Sequence, residues 1–135
     1  MTLVDTNVVI DLLTGDPDWS SWSKQAFRAA AARGPVRIND VIFAELAARY
    51  RSVDELEADL EILGLRRFAF SAASLFLASR VFVAYRRQGG SRTSTLPDFF
   101  IGAQAQTEGW AILTRDTRRY QACFPGITLI APDAG

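Results

Sequence analysis

Short apolar segments alternate with helical segments along almost the whole chain, and this alternation restricts the folds available to it. Parallel strands are joined by crossover helices, so the alternation predicts a mainly parallel sheet that is covered on both faces. No linker rich in Pro, Gly or Ser divides the 135 residues. We therefore predict one α/β domain over residues 1–135, with three layers and a central sheet of four to five short strands flanked by helices.

Local signals place the individual elements. Ser52 and Glu55 have the spacing of a capping box, and Pro97 suits the first turn of a helix. The predicted strands are residues 3–4, 36–38, 67–70, 110–113 and 127–130. The predicted helices are residues 8–13, 18–33, 41–51, 52–63, 71–88, 97–108 and 117–123, with a polar loop at 91–95. The longest of these helices is predicted to place three large apolar side chains in the core: Leu75, Phe76 and Phe82.

The chain contains no histidine, one cysteine and one lysine, which excludes several catalytic classes. Without histidine there is no Ser–His or Cys–His catalysis and no His-ligated zinc. Cys123 has no partner for an intrachain disulfide, and Lys24 leaves few candidates for P-loop or Schiff-base chemistry. Catalysis in this chain must therefore depend on carboxylates, hydroxyls, arginines and a bound metal.

Charge and hydropathy limit the partners. The 15 basic and 15 acidic residues give no net charge, so the chain is not expected to coat nucleic acid by net charge, although a local arginine patch is compatible with this balance. The longest apolar stretch, residues 68–85, contains serines and Arg80, which favours a buried helix over a membrane span. The N-terminus lacks a basic segment followed by an apolar run. We expect a cytoplasmic protein without membrane contact.

Four acidic residues are predicted to meet at one edge of the sheet. Asp5 and Asp116 each follow a predicted strand, and functional groups in parallel α/β sheets lie at the carboxyl ends of strands. Asp98 lies in the first turn of a helix whose start faces the same edge. Glu45 lies beside the apolar stripe of its helix, and a partly buried Glu needs a partner. We therefore expect the four side chains to converge.

Each acid alone has a simpler explanation. Asp5, Asp98 and Asp116 could be helix caps, worth about 0.5–2 kcal/mol each, and Glu45 could pair with Arg49 one turn later. Several carboxylates held close together, however, cannot all ionise cheaply without a cation. An all-oxygen site favours Mg²⁺, with Mn²⁺ as the alternative, and such ions activate water for attack on a phosphoryl group.

Four segments in this order resemble the motifs of PIN domains. They are residues 4–13 (VDTNVVIDLL), 44–46 (AEL), 96–103 (LPDFFIGA) and 113–120 (LTRDTRRY). Their spacing and the chain length resemble the VapC-like toxins of type II toxin–antitoxin systems. The resemblance implies an endoribonuclease that uses Mg²⁺ or Mn²⁺, is inhibited by a cognate antitoxin protein and forms a homodimer.

The resemblance also implies roles for individual residues. The positions that match the family's metal-binding and catalytic acids are Asp5, Glu45, Asp98 and Asp116. Thr6 and Thr114 would orient the ligands or the substrate phosphate, and Arg115 is a further candidate for positioning substrate. The candidate phosphate contacts are Arg86, Arg87, Arg92, Arg115 and Arg118. The expected reaction is hydrolysis of RNA that leaves a 5′-phosphate, and Asp5→Asn is expected to abolish it and leave the fold intact.

Three other functions are compatible with parts of this sequence. Phosphoryl transfer through an aspartyl intermediate, as in receiver domains and Asp-nucleophile phosphatases, is disfavoured. The phosphatase pattern has an Asp where this chain has Asn7, and both classes use a lysine near the site, whereas Lys24 lies elsewhere. A non-catalytic binding module of the same fold would not require all four acids. A structure-specific DNA nuclease would normally be longer. Trp19 and Trp22 could form a partner surface or pack in the core.

Overall fold

Short parallel strands form the sheet at the centre of the molecule. The computed structural model describes residues 1–89 and 95–132. The strands in this part of the chain are β1 (Thr2–Val4), β2 (Val36–Asn39), β3 (Arg66–Phe68), β4 (Ala111–Leu113) and β5 (Leu129–Ile130). They lie in the order β3–β2–β1–β4–β5, and every neighbouring pair is parallel. The predicted three-layer α/β class with a parallel central sheet is confirmed.

Helices connect the strands and cover the sheet. They are α1 (Thr6–Thr14), α2 (Ser20–Arg33), α3 (Asp40–Ala47), α4 (Val53–Leu63), α5 (Ala72–Arg87), α6 (Leu96–Glu108) and α7 (Arg118–Gln121). The helix predicted at 41–51 ends earlier, because the backbone N–H groups of Arg49 and Tyr50 donate to carbonyls three residues back and turn the chain. The loop predicted at 91–95 lies, except for Thr95, outside the described residues. None of the described helices has the length and apolar character to span a membrane.

The strand order places one crevice at the centre of the sheet. From β1 the chain moves outward to β2 and β3, and then returns to the other side of β1 with β4 and β5. In open α/β sheets the functional crevice lies outside the carboxyl ends of the strands at such a reversal. Leu3 and Val4 of β1 and Ile112 and Leu113 of β4 are fully buried, so the strands that end at this crevice are anchored in the core.

A second core cluster corrects one prediction. Phe82 packs edge-to-face on the buried Phe99, with 5.2 Å between ring centroids, as predicted. The prediction for Leu75 and Phe76 is wrong, because these side chains are 44% and 61% exposed. Helix α5 buries its opposite side through Ser74 and Ala78, which leaves the two apolar residues facing solvent. Trp22 is half-buried and packs against the main core, one of its two predicted roles. The Trp19 ring lies edge-on to the Trp22 ring, and a partner surface at Trp19 stays a prediction.

Gly102 is expected to be intolerant of any side chain. A Cβ atom there would lie 2.4 Å from Cδ2 of the buried Phe124 ring. Overpacking costs about 1–3 kcal/mol, which exceeds the gain of about 1 kcal/mol from replacing a helical glycine by alanine. We expect Gly102→Ala to lower the free energy of unfolding in urea, whereas Gly126→Ala, where a Cβ meets no atom within 4 Å, should not. Equal stabilities would contradict the packing described here.

Candidate active site

Asp5 lies at the centre of the crevice and is fully buried. It follows β1 and caps α1, with its Oδ1 accepting hydrogen bonds from the backbone N–H of Thr6 at 2.8 Å and from Nη1 of Arg119 at 2.9 Å. Its Oδ2 accepts from the hydroxyls of Thr114 and Tyr120, both at 2.8 Å. Both carboxylate oxygens are therefore held by donors from the loop after β4 and from α7, as well as from Asp5's own helix.

Asp98 enters the crevice from the first turn of α6. Its Oδ2 accepts from the backbone N–H of Thr95 at 2.7 Å and from the Thr95 hydroxyl at 3.3 Å. Its Oδ1 accepts from Nε of Arg119 at 2.5 Å. The helix-cap interpretation of Asp98 is confirmed, because one oxygen closes the helix turn, and the other oxygen faces the crevice, where its catalytic role stays a prediction.

Glu45 reaches the crevice from α3, which is capped by the Asn39 side chain. Its Oε1 accepts from the Thr6 hydroxyl at 2.7 Å, and its Oε2 lies 3.6 Å from Nη2 of Arg119. Among the ion pairs of the described residues, none joins Glu45 to Arg49, the partner considered as an alternative. The partner that a half-buried Glu requires is supplied from across the sheet.

Asp116 lies at the outer side of the site. Its carboxylate is 40% exposed, accepts from the backbone N–H of Arg118 at 3.1 Å and pairs with the Arg118 side chain at 3.5 Å. The Thr114 hydroxyl links it to the buried acids, because this oxygen accepts from the Asp116 backbone N–H at 3.0 Å and donates to Asp5. Thr6 and Thr114 therefore hold the acidic side chains in place.

Arg119 is the site residue that sequence reasoning missed. Its guanidinium, 16% exposed, contacts Asp5, Asp98 and Glu45. Burial alone would lower the pKa of Arg119, but neighbouring Tyr120 and the carboxylates of Asp5 and Asp98 outweigh burial and raise it above its usual value. Burial and the Asp5 charge also hold the pKa of Tyr120 well above its usual value, so its hydroxyl remains a donor to Asp5. Arg119 lies three residues after Asp116, a predicted site acid, and this closeness in sequence is the one feature that points to the site. It does not indicate the direction of the Arg119 side chain.

Arg115 points away from these acids. Its Nε and Nη2 donate to the two carboxylate oxygens of Asp11, at 2.7 and 3.1 Å, and its guanidinium lies 4.9 Å from the centre of the Trp19 ring. Asp11 is 1% exposed and also accepts from the Ser23 hydroxyl. The Arg115 backbone N–H donates to the Asn7 side chain at 3.0 Å. Arg115 therefore fastens the loop after β4 to helix α1.

The remaining candidate phosphate contacts differ in position. The Arg118 side chain is 81% exposed beside Asp116, at the mouth of the site. Arg86 and Arg87 are exposed in the last turn of α5, and the Arg86 guanidinium lies over the Phe82 ring. Arg92 lies outside the described residues. Arg118 is thus the arginine of this set that combines exposure with contact to a site acid.

The donor set suits a hard divalent cation. Carboxylate and hydroxyl oxygens surround the crevice, and these are the ligand types that Mg²⁺ and Mn²⁺ prefer. Within residues 1–89 and 95–132, no three acidic or cysteine side chains already form a preassembled metal site. The inner oxygens of Asp5, Asp98 and Glu45 face the Arg119 guanidinium. The oxygen atoms of these residues are of the type that binds Mg²⁺ or Mn²⁺, whereas their present positions fit the Arg119 guanidinium.

Fold and site together define a class of protein. A parallel sheet with a central reversal and carboxylates at its carboxyl edge is typical of small three-layer α/β domains with an acidic site. The PIN domain family model matches residues 2–125. The chain belongs to the PIN domain family, which confirms the resemblance found in its sequence.

Solved structures of toxin–antitoxin systems share the fold. A chain of VapBC2 from Rickettsia felis, bound to a promoter DNA fragment, is 18% identical with a TM-score of 0.75, and the match covers 98% of both chains. A chain of a toxin–antitoxin complex from Klebsiella pneumoniae is 22% identical with a TM-score of 0.66, and the match covers 98% of this chain and 97% of that one. A chain of VapBC-1 from nontypeable Haemophilus influenzae is 14% identical with a TM-score of 0.71, and the match covers 95% of both chains. No curated protein sequence matches this chain.

Proposed function

We propose that this chain is an endoribonuclease that hydrolyses RNA phosphodiester bonds with the help of Mg²⁺ or, alternatively, Mn²⁺. The observation that carries the proposal is the convergence of Asp5, Glu45 and Asp98, from three different elements, on a single point at the carboxyl edge of the sheet. Arg119 supplies one positive charge against these three carboxylates, so the site keeps an excess of negative charge that a divalent cation would neutralise. Membership of the PIN domain family supports the same chemistry.

Each acid has a role that follows from its position. Asp5 and Asp98, buried and held by donors, are suited to hold the cation, and Asp116 extends the site toward solvent. Glu45 is half-buried, so it can complete the site or accept a proton from the attacking water. The bound ion would supply a lowered pKa for water and charge neutralisation at the phosphoryl oxygen. All of these roles use carboxylates and none requires the absent histidine.

Hydroxyl groups orient the carboxylates before any ligand arrives. The Thr6 hydroxyl donates to the Glu45 carboxylate. The Thr114 hydroxyl donates to the Asp5 carboxylate and accepts from the backbone N–H of Asp116. Hydrogen-bonded partners of this kind typically contribute about 10–100-fold to metal affinity or activity. Thr6 and Thr114 are therefore proposed as positioning residues of the site.

Substrate contact is proposed at the mouth of the site. The exposed Arg118 guanidinium beside Asp116 can bind a phosphate of the RNA strand. Arg86, Arg87 and Arg92 remain candidates for contacts farther along the strand. Arg115 is the weakest candidate, because its donors are engaged by Asp11.

We also propose a biological setting. The shared fold with chains of VapBC and other toxin–antitoxin structures supports a toxin whose partner is a cognate antitoxin protein. In this setting the chain would act in the cytoplasm, as one nuclease domain over residues 1–135 and as a homodimer. The homodimer and the RNA substrate rest on family resemblance.

Cleavage of a mixed cellular RNA pool by the purified chain tests the proposed function. We expect cutting with Mg²⁺ or Mn²⁺, no cutting with EDTA, and products that carry a 5′-phosphate and are degraded by a 5′-phosphate-dependent exonuclease. DNA of matched sequence should remain intact. The protein should first be freed of any antitoxin by denaturation and refolding, with circular dichroism as the control for folding.

Three results would each contradict a different part of the proposed function. No cutting under any condition by folded, antitoxin-free protein would overturn the nuclease proposal and favour a binding module. Cutting of DNA at a rate equal to that of RNA would favour a structure-specific DNA nuclease. Cutting that persists in EDTA would remove the metal from the mechanism.

A further inference from the structure

The oxygens of the three inner acids are divided between two kinds of partner. One oxygen of each carboxylate is held by the surrounding framework, and Oδ1 of Asp5 also accepts from the Thr6 backbone N–H. The framework donors are the hydroxyls of Thr114 and Tyr120 for Asp5, the hydroxyl of Thr6 for Glu45 and the backbone N–H and hydroxyl of Thr95 for Asp98. The other oxygens, Oδ1 of Asp5, Oδ1 of Asp98 and Oε2 of Glu45, lie 2.9, 2.5 and 3.6 Å from nitrogens of Arg119.

We propose that Arg119 is the internal counter-ion of the acidic site in the metal-free chain, and that a divalent cation binds by displacing it. This inference rests on the metal site of the proposed function. The inward-facing oxygens of Asp5, Asp98 and Glu45 all face the position that the Arg119 guanidinium now occupies, whereas their other oxygens face the framework. A guanidinium and a divalent cation carry the same sign of charge, so their repulsion disfavours binding of both at this position.

Burial gives the guanidinium a strong electrostatic role. Asp5 is fully buried and Asp98 is 3% exposed, so without a cation their charges would be unpaired in the protein interior. Arg119 supplies one positive charge spread over a planar fork that can contact several oxygens. This allows the ligand side chains to adopt a fixed arrangement in the metal-free chain, at the cost of metal affinity.

The location of Arg119 makes displacement feasible. It lies on α7, a helix of four residues, next to the exposed Arg118. Arginine has a long side chain with many rotamers, so its head group can move without moving the backbone. The adjacent Tyr120 is fully buried and holds Asp5 through its hydroxyl. The helix can thus stay in place while the guanidinium leaves.

The test compares Mn²⁺ binding by the wild-type chain, Arg119→Met and Arg119→Lys in isothermal titration calorimetry at fixed ionic strength, with thermal unfolding in parallel. We expect Arg119→Met to bind Mn²⁺ at least about tenfold more tightly, because a guanidinium that leaves the site free in less than about a tenth of the molecules lowers the apparent affinity by that factor. Its metal-free Tm should fall, and its Mn²⁺-induced rise in Tm should exceed that of wild type. Arg119→Lys, which keeps the charge but loses the fork, should lie between the two.

Arg67→Met is the matched control. It removes an arginine from a 2.8 Å ion pair with Asp40, in which both side chains are about half exposed and neither makes a described ion pair with Asp5, Glu45, Asp98 or Asp116. Its Mn²⁺ affinity should equal that of wild type. If Arg119→Met is unfolded without metal, Mn²⁺ should restore its circular dichroism spectrum, and failure to do so would overturn the proposal.

The outcomes separate this inference from the proposed function. Equal Mn²⁺ affinities of wild type and Arg119→Met would overturn the counter-ion role and leave the metal-dependent nuclease in place. Binding by Arg119→Met and none by wild type would support the counter-ion role but overturn displacement, and with it the metal site of the wild-type chain. Absence of binding in every variant would overturn both the counter-ion role and the metal site.

Discussion

Replacement of Asp98 by Asn is expected to leave the chain folded and to slow RNA cleavage by more than about 100-fold, since even outer partners of metal ligands contribute about 10–100-fold. The Asn side-chain oxygen can still accept from the Thr95 backbone N–H and close the first turn of α6. The amide nitrogen then takes the place of the Asp98 oxygen that faces the crevice and opposes one donor, the Arg119 guanidinium, whose long side chain can move aside. The variant therefore removes one negative charge from the site and keeps the local helix cap.

Single-turnover cleavage rates, with circular dichroism as the folding control, measure this effect. Asp40→Asn is the matched variant, because Asp40 is a half-exposed acid that pairs with Arg67 and not with Arg119. Its cleavage rate should match wild type. A folded Asp98→Asn protein with activity within tenfold of wild type would remove Asp98 from the mechanism.

Asp98→Asn separates a loss of activity from a loss of stability better than Asp5→Asn does. Both oxygens of Asp5 accept hydrogen bonds from donors on the loop after β4, on α1 and on α7. An amide at position 5 would direct its own donor against one of these donors, which is costly in a buried place. The loss of activity expected for Asp5→Asn would thus come with a loss of stability, unlike the intact fold expected from the sequence.

Arg115→Met should lower the free energy of unfolding by about 3 kcal/mol, because removal of one partner from a buried ion pair typically costs about 3–5 kcal/mol. We place the effect at the low end because the Arg115 side chain is 25% exposed. Asp11, in contrast, is 1% exposed and would keep only the Ser23 hydroxyl among the side-chain donors described for it. The cost arises from the buried carboxylate.

Urea unfolding followed by fluorescence measures this difference. Arg67→Met breaks an ion pair that is about half exposed and should change the free energy of unfolding by less than about 1 kcal/mol. The two outcomes assign Arg115 to different roles. A destabilised variant supports a structural role, whereas a variant of unchanged stability with weakened RNA binding would support the substrate-positioning role expected from the sequence.

The parts of the structure that depend on local pattern could be predicted. Strand–helix alternation defined the sheet and its parallel direction, and the strand ends located Asp5 and Asp116 at one edge. The Asp98 helix start followed from Pro97. These predictions succeed because the carboxyl ends of parallel strands meet at one edge whatever the details of packing.

The parts that depend on tertiary packing could not be predicted. Arg119 lies on a four-residue helix, which is too short for a hydrophobic period to show which way its side chains point. Arg115 pairs with an aspartate 104 residues away, and no local pattern indicates such a partner. Helix α5 has apolar residues on several faces, so the sequence could not show that Leu75 and Phe76 face solvent.

The site is assembled from opposite ends of the polypeptide. Asp5 accepts its hydrogen bonds from Thr114 and Tyr120 across 109 and 115 residues of sequence. Contacts of such separation form late, because the intervening chain must first be ordered. During translation, a nascent chain that has not yet released β4 and α7 from the ribosome lacks Thr114, Asp116, Arg119 and Tyr120. Under the proposed function, a nascent chain without β4 and α7 would lack the assembled site and could not yet cleave the messenger that encodes it.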